Sequence, residues 1–345
     1  MVDIIKTAVI GTGALGQHHA RIHKELDSDG HIQFVGVFDK DQSRAEEVVS
    51  RTGGKAFSDF DELIASADAF SVVTPTITHF DIAKRLLEAG KHVLVEKPMT
   101  ETTEQAGELV DLAESRQLAL QVGHVERFNP VYAYLQKAAS QPKFIEAHRL
   151  SPFPARSTDI GVVLDLMIHD IDVILAFVDS PVESVDAVGI PVLSESEDIA
   201  NARLKFKNGC VANITASRVS PERMRKIRVF SSGESASYVS LDFREQKGYI
   251  YRLGRADEKE SSLLKKLIAA KDSTIVSEFA GRKIVREPVP IEKAEPLRLE
   301  LESFFNCVVE KQTPLVSGSS AKQALDLALE ITRQIEAAKV RVPED

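Results

Sequence analysis

Short apolar runs alternate with amphipathic stretches through the first third of the chain. Residues 7–10, 32–38, 69–73, 92–95 and 118–122 are dense in Val, Ile, Leu, Ala and Phe, and each run is followed by a Gly, Asp, Thr or Glu. Such short, nearly continuous runs fit strands buried on both faces. Between them, residues 17–26, 43–51, 61–66, 78–87 and 103–116 read as helices. Gly53-Gly54 and Gly90 act as stops, and Thr78 is placed to cap the fourth helix. Strands that alternate with helices, with no hairpin signal, predict an α/β fold with a parallel sheet wound on both faces.

The pattern changes after Gly123. Residues 202–207 alternate apolar and basic positions, Asn208-Gly209 signals a type I′ turn, and 211–217 alternates on the way back, which predicts a hairpin. Further strands are expected near 227–230, 238–243 and 249–253, so the second half reads as a mostly antiparallel sheet. One face of such a sheet packs on helices and the other meets solvent or a partner subunit. Residues 256–276 are charged at their start and fit no strand; a mobile insertion with a short helix is the expectation. Residues 297–310 and 320–338 read as two amphipathic helices around Thr313-Pro314, and Pro130 opens a helix. These readings divide the chain into a domain at 1–125 and an α+β domain at 126–345.

The first strand runs into Gly11-Thr12-Gly13-Ala14-Leu15-Gly16, and a helix follows. GxGxxG in a strand-turn-helix setting is a dinucleotide fingerprint. Gly11 allows the tight turn, Gly13 lets the backbone approach a pyrophosphate, Gly16 lets helix pack on strand, and the helix N-terminus favours the anion. The second strand ends at Asp39, about the offset at which a carboxylate accepts from the ribose hydroxyls. Its negative charge opposes a 2′-phosphate, which makes NAD the expected cofactor. Thr74, Pro75 and His79 fall in a loop on the same edge, where His79 is either a packing or capping histidine or a cofactor contact. His18 and His19 are expected at exposed positions of the first helix, with no metal site.

The strand at 92–95 ends in Glu96-Lys97-Pro98. A lysine at the carboxyl end of a parallel strand can transfer protons when its surroundings tune it, and a proline stiffens the turn that aims it. A Glu-Lys pair at a surface turn is the alternative. Residues 162–178, VVLDLMIHDIDVILAFV, form a helix apolar nearly all round, and so buried, yet it carries Asp165 and His169 four apart, with Asp172 three further on. An aspartate one turn away can orient an imidazole and raise its basicity, as a general base requires; a satisfied core histidine is the alternative. Arg149 and Arg156 flank a Pro-rich stretch before this helix, and Arg127 adds a third cation. Guanidinium groups suit a diphosphate, or they pair with the chain's carboxylates.

The chain has 345 residues, a net charge of -9 and two cysteines, Cys210 and Cys307, with no CxxC pattern. The length suits two domains. The charge gives no general attraction to nucleic acid or an anionic membrane, so the expected partner is a small molecule. The cysteine usage and the absence of a signal-like or spanning apolar run suit the cytoplasm.

GTGALG, Asp39, TPT with His79, EKP, GHVERFNP and the DLMIH helix together resemble the Gfo/Idh/MocA family of NAD(P)-dependent sugar and cyclitol oxidoreductases. The resemblance implies a Rossmann domain followed by a domain with a large open sheet, often used for dimer or tetramer contacts. By position it implies Lys97, Asp165 and His169 as catalytic groups. It implies Gly11, Gly13, Ala14, Leu15, Gly16, Asp39, Thr74, Pro75, His79, Glu96 and Lys97 as cofactor contacts. His124, Arg127 and Arg156 join the catalytic three on the substrate. GHVERFNP, SPFPARSTD and VVLDLMIHDIDVIL resemble the nucleotide-sugar branch of that family, implying oxidation of the C3 hydroxyl of UDP-N-acetylglucosamine. A free sugar or inositol is the alternative substrate. A redox-silent NAD-binding sensor is the rival class, against which Lys97, Asp165 and His169 together argue.

Overall fold

The computed structural model describes residues 4–139, 141–153, 160–232, 236–253, 274–279 and 282–339. These form two compact units, one from the described residues up to Phe128 with 295–326, the other from those of 129–294 with 327–339.

The first unit is built on a parallel sheet of β1 (Lys6–Ile10), β2 (Gln33–Phe38), β3 (Lys55–Phe57), β4 (Ala69–Val72), β5 (His92–Glu96) and β6 (Leu120–Gly123). Their order is β3-β2-β1-β4-β5-β6, with every neighbour parallel. The strand order reverses between β1 and β4, and in open α/β sheets ligands bind outside the carboxyl ends of strands at such a point. Helices α1 (Gly16–Ser28), α2 (Gln42–Thr52), α3 (Phe60–Ser66), α4 (His79–Glu88) and α5 (Thr103–Ser115) connect the strands. Strand β3 escapes the hydrophobic pattern because it is three residues long and pairs only with Gly36–Phe38. Thr78 does not cap α4 as expected; its hydroxyl donates to the carbonyl of Pro75 at 2.8 Å.

Contrary to the expected division at 126–345, helix α8 (Pro296–Glu310) belongs to the first unit. Its Leu301, Phe304, Phe305 and Val308 form one buried cluster with Ile22 and Leu26 of α1, Ile32, Ala69, Leu94 and Ala119. Each such side chain contributes about 1.5–3 kcal/mol of gross burial free energy. Ion pairs reinforce the position: Arg298 reaches Asp29 at 2.7 Å and Glu25 at 3.3 Å, and Arg21 pairs with Glu295. Residues 318–326 of the last helix, α9 (Gly318–Lys339), also fall in the first unit.

The second unit contains α6 (Pro130–Ala138), α7 (Ile168–Val178) and nine strands: β7 (Pro142–Leu150), β8 (Val182–Ile190), β9 (Ile199–Phe206), β10 (Val211–Ser217), β11 (Met224–Ser231), β12 (Ser237–Asp242), β13 (Lys247–Leu253), β14 (Thr274–Phe279) and β15 (Arg282–Pro288). They make one sheet, β14-β15-β13-β12-β11-β7-β10-β9-β8, antiparallel except where β7 runs parallel to β10. The inner face buries Ile145, Ala147, Ala212, Ile214, Val229 and Val239, with α6 against β12 and α7 against β7 and β10. On the outer face Phe230, Tyr238 and Tyr251 stack across three strands at centroid distances of 4.7 and 5.1 Å, and Phe144 of a fourth strand packs tilted on Phe230 at 5.7 Å.

Two expectations need correction. The β9–β10 hairpin forms, but Gly209 alone takes a positive φ of 81°, and Phe206 pairs with Cys210 around a three-residue loop. A three-residue loop of this kind ends in a left-handed glycine, whereas type I′ needs both central residues there. Residues 274–276, expected outside any strand, open β14; residues 254–273 of the expected insertion lie outside the described residues.

Candidate active site

The carboxyl edge of the parallel sheet gathers most of the cofactor residues named from the sequence. Gly11 has φ 93°, and a Cβ there would meet the Val73 carbonyl oxygen at 2.3 Å; a Cβ on Gly16 would meet the Gly11 oxygen at 2.0 Å. Gly13 has nothing within 4 Å of its Cβ position, so the loop presents bare backbone to open space there. Helix α1 begins without a side-chain cap. The Gln17 and His18 N–H groups turn back onto the Gly13 and Leu15 carbonyls, so the N–H groups from Gly13 to Gly16 are the ones that face a phosphate. This cradle fits a dinucleotide.

Asp39 follows β2 and holds the loop in shape. Its Oδ2 accepts from the Thr12 N–H at 2.7 Å and the Thr12 hydroxyl at 2.8 Å, and its Oδ1 accepts from the Asp41 N–H at 2.9 Å. Burial pushes its pKa up, but these donors and Arg44 outweigh burial and hold the carboxyl below its ordinary value.

Thr74 and Pro75 follow β4, and Glu96 ends β5 with Lys97 half-buried beside it. His79, expected among the cofactor contacts, is 1% exposed and bridges two backbone carbonyls: Nδ1 lies 2.8 Å from Pro98 O and Nε2 2.8 Å from Thr74 O. It braces the loops after β4 and β5 against each other. Burial holds its pKa below the ordinary imidazole value, against the raising effect of those carbonyls and of Glu96.

His19 corrects an expectation, for it is 0% exposed, with Nε2 3.1 Å from Glu96 Oε1; His18 is exposed. The signal was in the sequence: Gly16, His19, Ile22, His23 and Leu26 share one stripe of α1, all buried. Burial raises the Glu96 pKa, but the His19 hydrogen bond and the Lys97 charge and N–H outweigh it and leave the carboxyl below its ordinary value. After β6, His124 is 1% exposed and Arg127 9% exposed, so neither is a simple surface cation.

In the second unit, the helix carrying Asp165 and His169 is not continuous α-helix as expected. Residues Val163–Met167 form a π-helical turn that leads into α7, and π-turns inside helices recur at functional sites. Asp165 and His169 are half-buried, whereas Asp172 is 2% exposed. Arg149, a candidate for a diphosphate, is instead bound to Asp170 in a two-pronged pair, Nε to Oδ2 at 2.8 Å and Nη2 to Oδ1 at 3.2 Å. Arg156 lies outside the described residues.

The start of this helix is anchored by groups that sequence reading passed over. Arg218 donates to the Ile160 carbonyl at 2.6 Å and to Asp198 at 2.7 Å, and the Val163 N–H donates to Glu197 at 3.3 Å. Nothing local marks them, since their partners lie 20 to 58 residues away. Among the described residues no group of His, Cys, Asp and Glu could hold a metal ion, and no helix is long and apolar enough to cross a membrane.

Comparison with known proteins identifies the family of the chain. Residues 5–124 match the family model of the oxidoreductase family with an NAD-binding Rossmann fold, and residues 136–238 match the GFO/IDH/MocA C-terminal domain. The chain is 36% identical to UDP-N-acetylglucosamine 3-dehydrogenase of Acidithiobacillus ferrooxidans over 96% of this chain and 98% of that protein. The solved structure of that enzyme superposes with a TM-score of 0.85 over the same shares. Scyllo-inositol 2-dehydrogenase (NAD(+)) of Bacillus subtilis is 27% identical over 95% of this chain and 93% of its own. Levoglucosan dehydrogenase, solved with NADH and levoglucosan, shares the fold at 16% identity, with a TM-score of 0.79 over 97% of this chain and 98% of that one. The glycine cradle, the lysine turn after β5 and the aspartate–histidine helix thus lie in a chain that belongs to the Gfo/Idh/MocA family of oxidoreductases.

Proposed function

We propose that this protein oxidises the C3 hydroxyl of UDP-N-acetylglucosamine to the 3-keto sugar, with NAD as the cofactor. One observation carries the reading: the first unit sets an uncapped glycine cradle, Asp39 and Lys97 on one sheet edge, and the second sets Asp165 and His169 on one half-buried helical turn. The full-length likeness to the Acidithiobacillus enzyme supports the choice of substrate.

Backbone N–H groups from Gly13 to Gly16 hold the diphosphate, with Gly11 making the turn and the Thr12 N–H given to Asp39; Asp39 accepts from the adenosine ribose, and Thr74 and Pro75 border the same crevice. The carboxylate of Asp39 disfavours a 2′-phosphate and so favours NAD over NADP. Bound NAD supplies the acceptor for the hydride that leaves C3. His169, or Lys97 and His169 in relay, takes the hydroxyl proton, while Asp165 orients the imidazole and a substrate hydroxyl; a positioned base contributes about 10²–10⁴-fold. His124, Arg127 and Arg156 bind substrate, and the UDP group provides remote binding energy that holds the sugar ring in place.

The aromatic row from Phe144 to Tyr251, with Val188 and Ile190 each 56% exposed on β8, supports a homodimer or homotetramer formed through the outer face of the sheet. Two reduced cysteines and a dependence on a nicotinamide cofactor suit the cytoplasm.

The test is NADH formation with UDP-N-acetylglucosamine, free N-acetylglucosamine and myo-inositol, using NAD and NADP in turn. Turnover should require the UDP group and favour NAD, and Lys97→Ala or His169→Ala should lower it at least about 10²-fold with NAD binding kept. Equal efficiency on myo-inositol would make the protein an inositol dehydrogenase. No turnover on any substrate would favour the sensor, and equal turnover with NADP would remove Asp39 from its assigned role.

A further inference from the structure

The turn that carries Lys97 is held by groups with no part in the proposed chemistry. We propose that His19 is a positioning residue for Lys97, acting through the carboxylate of Glu96. This inference rests on the assignment of Lys97 to proton transfer.

Glu96 is the last residue of β5 and is 7% exposed. Its Oε1 lies 3.1 Å from His19 Nε2, and its Oε2 accepts the backbone N–H of Lys97 at 3.2 Å. An ionised carboxylate only accepts hydrogen bonds, so His19 must carry its proton on Nε2. The same carboxylate is walled in from the next strand. A Cβ on Gly123 would sit 2.7 Å from both Cδ and Oε2 of Glu96, so any other residue there displaces the carboxylate from this position. In this position one oxygen of Glu96 faces α1 and the other faces the Lys97 amide.

Take away the His19 donor and Oε1 is left as a buried anionic oxygen without that hydrogen bond. Such a group rotates toward water or takes up a proton. Either change disturbs the acceptor of the Lys97 N–H. His79 braces the far side of the turn through the Pro98 carbonyl, so the Lys97 amide is the side that depends on His19. His19 lies three residues beyond Gly16, the last glycine of the cradle. One helix therefore both presents its N-terminus to the diphosphate and holds the proton-transfer lysine.

The experiment compares His19→Ala, His19→Asn and His19→Gln in the full-length chain. Glutamine places an N–H donor near the position of Nε2, and asparagine places one near Nδ1. Amide hydrogen exchange in the cofactor-free protein should accelerate at least about 10-fold over residues 93–100 in the Ala and Asn variants, and stay within about threefold of wild type in the Gln variant. With NAD and UDP-N-acetylglucosamine, kcat should fall about 10–100-fold in the Ala and Asn variants, while the KM for NAD moves less than about threefold and Gln restores turnover. Unchanged exchange in His19→Ala overturns the proposal. So does a Gln variant as impaired as Ala, or an acceleration spread evenly over the whole first unit. If the wild type turns over no nucleotide sugar, the proposed function fails by itself, and the exchange pattern still decides the role of His19.

Discussion

Replacing Arg218 with methionine tests whether the buried network before the Asp165–His169 helix sets the stability of the second unit. Arg218 and Asp198 are both 0% exposed. The guanidinium donates to Asp198 Oδ1 at 2.7 Å, Ile160 O at 2.6 Å, Ser194 Oγ at 2.8 Å and Ser196 Oγ at 3.0 Å. Asp198 also accepts the N–H groups of Val192, Leu193 and Ser194 at 2.6 to 2.9 Å and the Ser194 hydroxyl at 2.7 Å. Methionine fills the space of the arginine stem but supplies none of the donors. Breaking one partner of a buried ion pair costs about 3–5 kcal/mol, and the donors remaining on Asp198 place the expectation toward the lower end. At about 2–4 °C per kcal/mol for a unit of this size, its transition should fall by about 6–20 °C.

Calorimetry on wild type, Arg218→Met, Asp198→Asn and the double variant provides the assay. The double variant should be less destabilised than the sum of the single ones by about 1–3 kcal/mol, because the two side chains share one interaction. Burial raises the Asp198 pKa, but the Leu193 N–H, Arg218, the Ser194 hydroxyl and the Val192 N–H overcome it and hold the carboxyl far below the ordinary aspartate value. A depressed folded-state pKa stabilises above the unfolded value, near about 4, and that stability is lost as pH falls below it. Wild type should therefore lose second-unit stability below about pH 4 more steeply than Asp198→Asn. A cost under about 1 kcal/mol for Arg218→Met, or strict additivity in the cycle, would refute the reasoning.

Gly123→Ala should cost the first unit about 1–3 kcal/mol through overpacking against Glu96, and lower turnover by moving the acceptor of the Lys97 amide. An unchanged melting curve and unchanged kcat would contradict it. His23 is fully buried between the Thr7 and Ser71 hydroxyls, and burial, with the neighbouring His19, pushes its pKa well below 6.5. The unfolded chain then takes the proton first, so first-unit stability should decline by up to about 1.4 kcal/mol per pH unit as pH drops below about 6.5. His23→Gln should flatten that decline in urea titrations, and equal slopes for the two proteins would rule it out.

Apart from the short β3, the first sheet was legible because strands buried on both faces are continuous apolar runs, and GTGALG and Asp39 mark the two turns that matter at its ligand edge. The β9–β10 hairpin was legible for a related reason: one buried face produces strict alternation. Strands β7 and β8 were not. The run KFIEAHRL of β7 alternates, but one of its inner positions is Arg149, which is buried by pairing with Asp170 rather than by being apolar.

Periodicity along a chain records which face of an element is buried; it does not record what covers that face. The stripe of α8 announced an amphipathic helix, yet only the tertiary structure set Phe304 and Phe305 against α1 and the parallel sheet. The stripe of α1 likewise included His19, but the carboxylate that makes it useful comes 77 residues later, at the end of β5. Arg218 has the same history, with its partners at Asp198 and Ile160. The sequence by itself determined the strand-helix alternation, the glycine cradle and which side chains are candidates for the chemistry, because these depend on local spacing and residue type. Which buried charges meet, and so which residues hold Lys97 and the Asp165–His169 turn in place, was decided by strand order and helix packing, since a buried charge must find its partner in space.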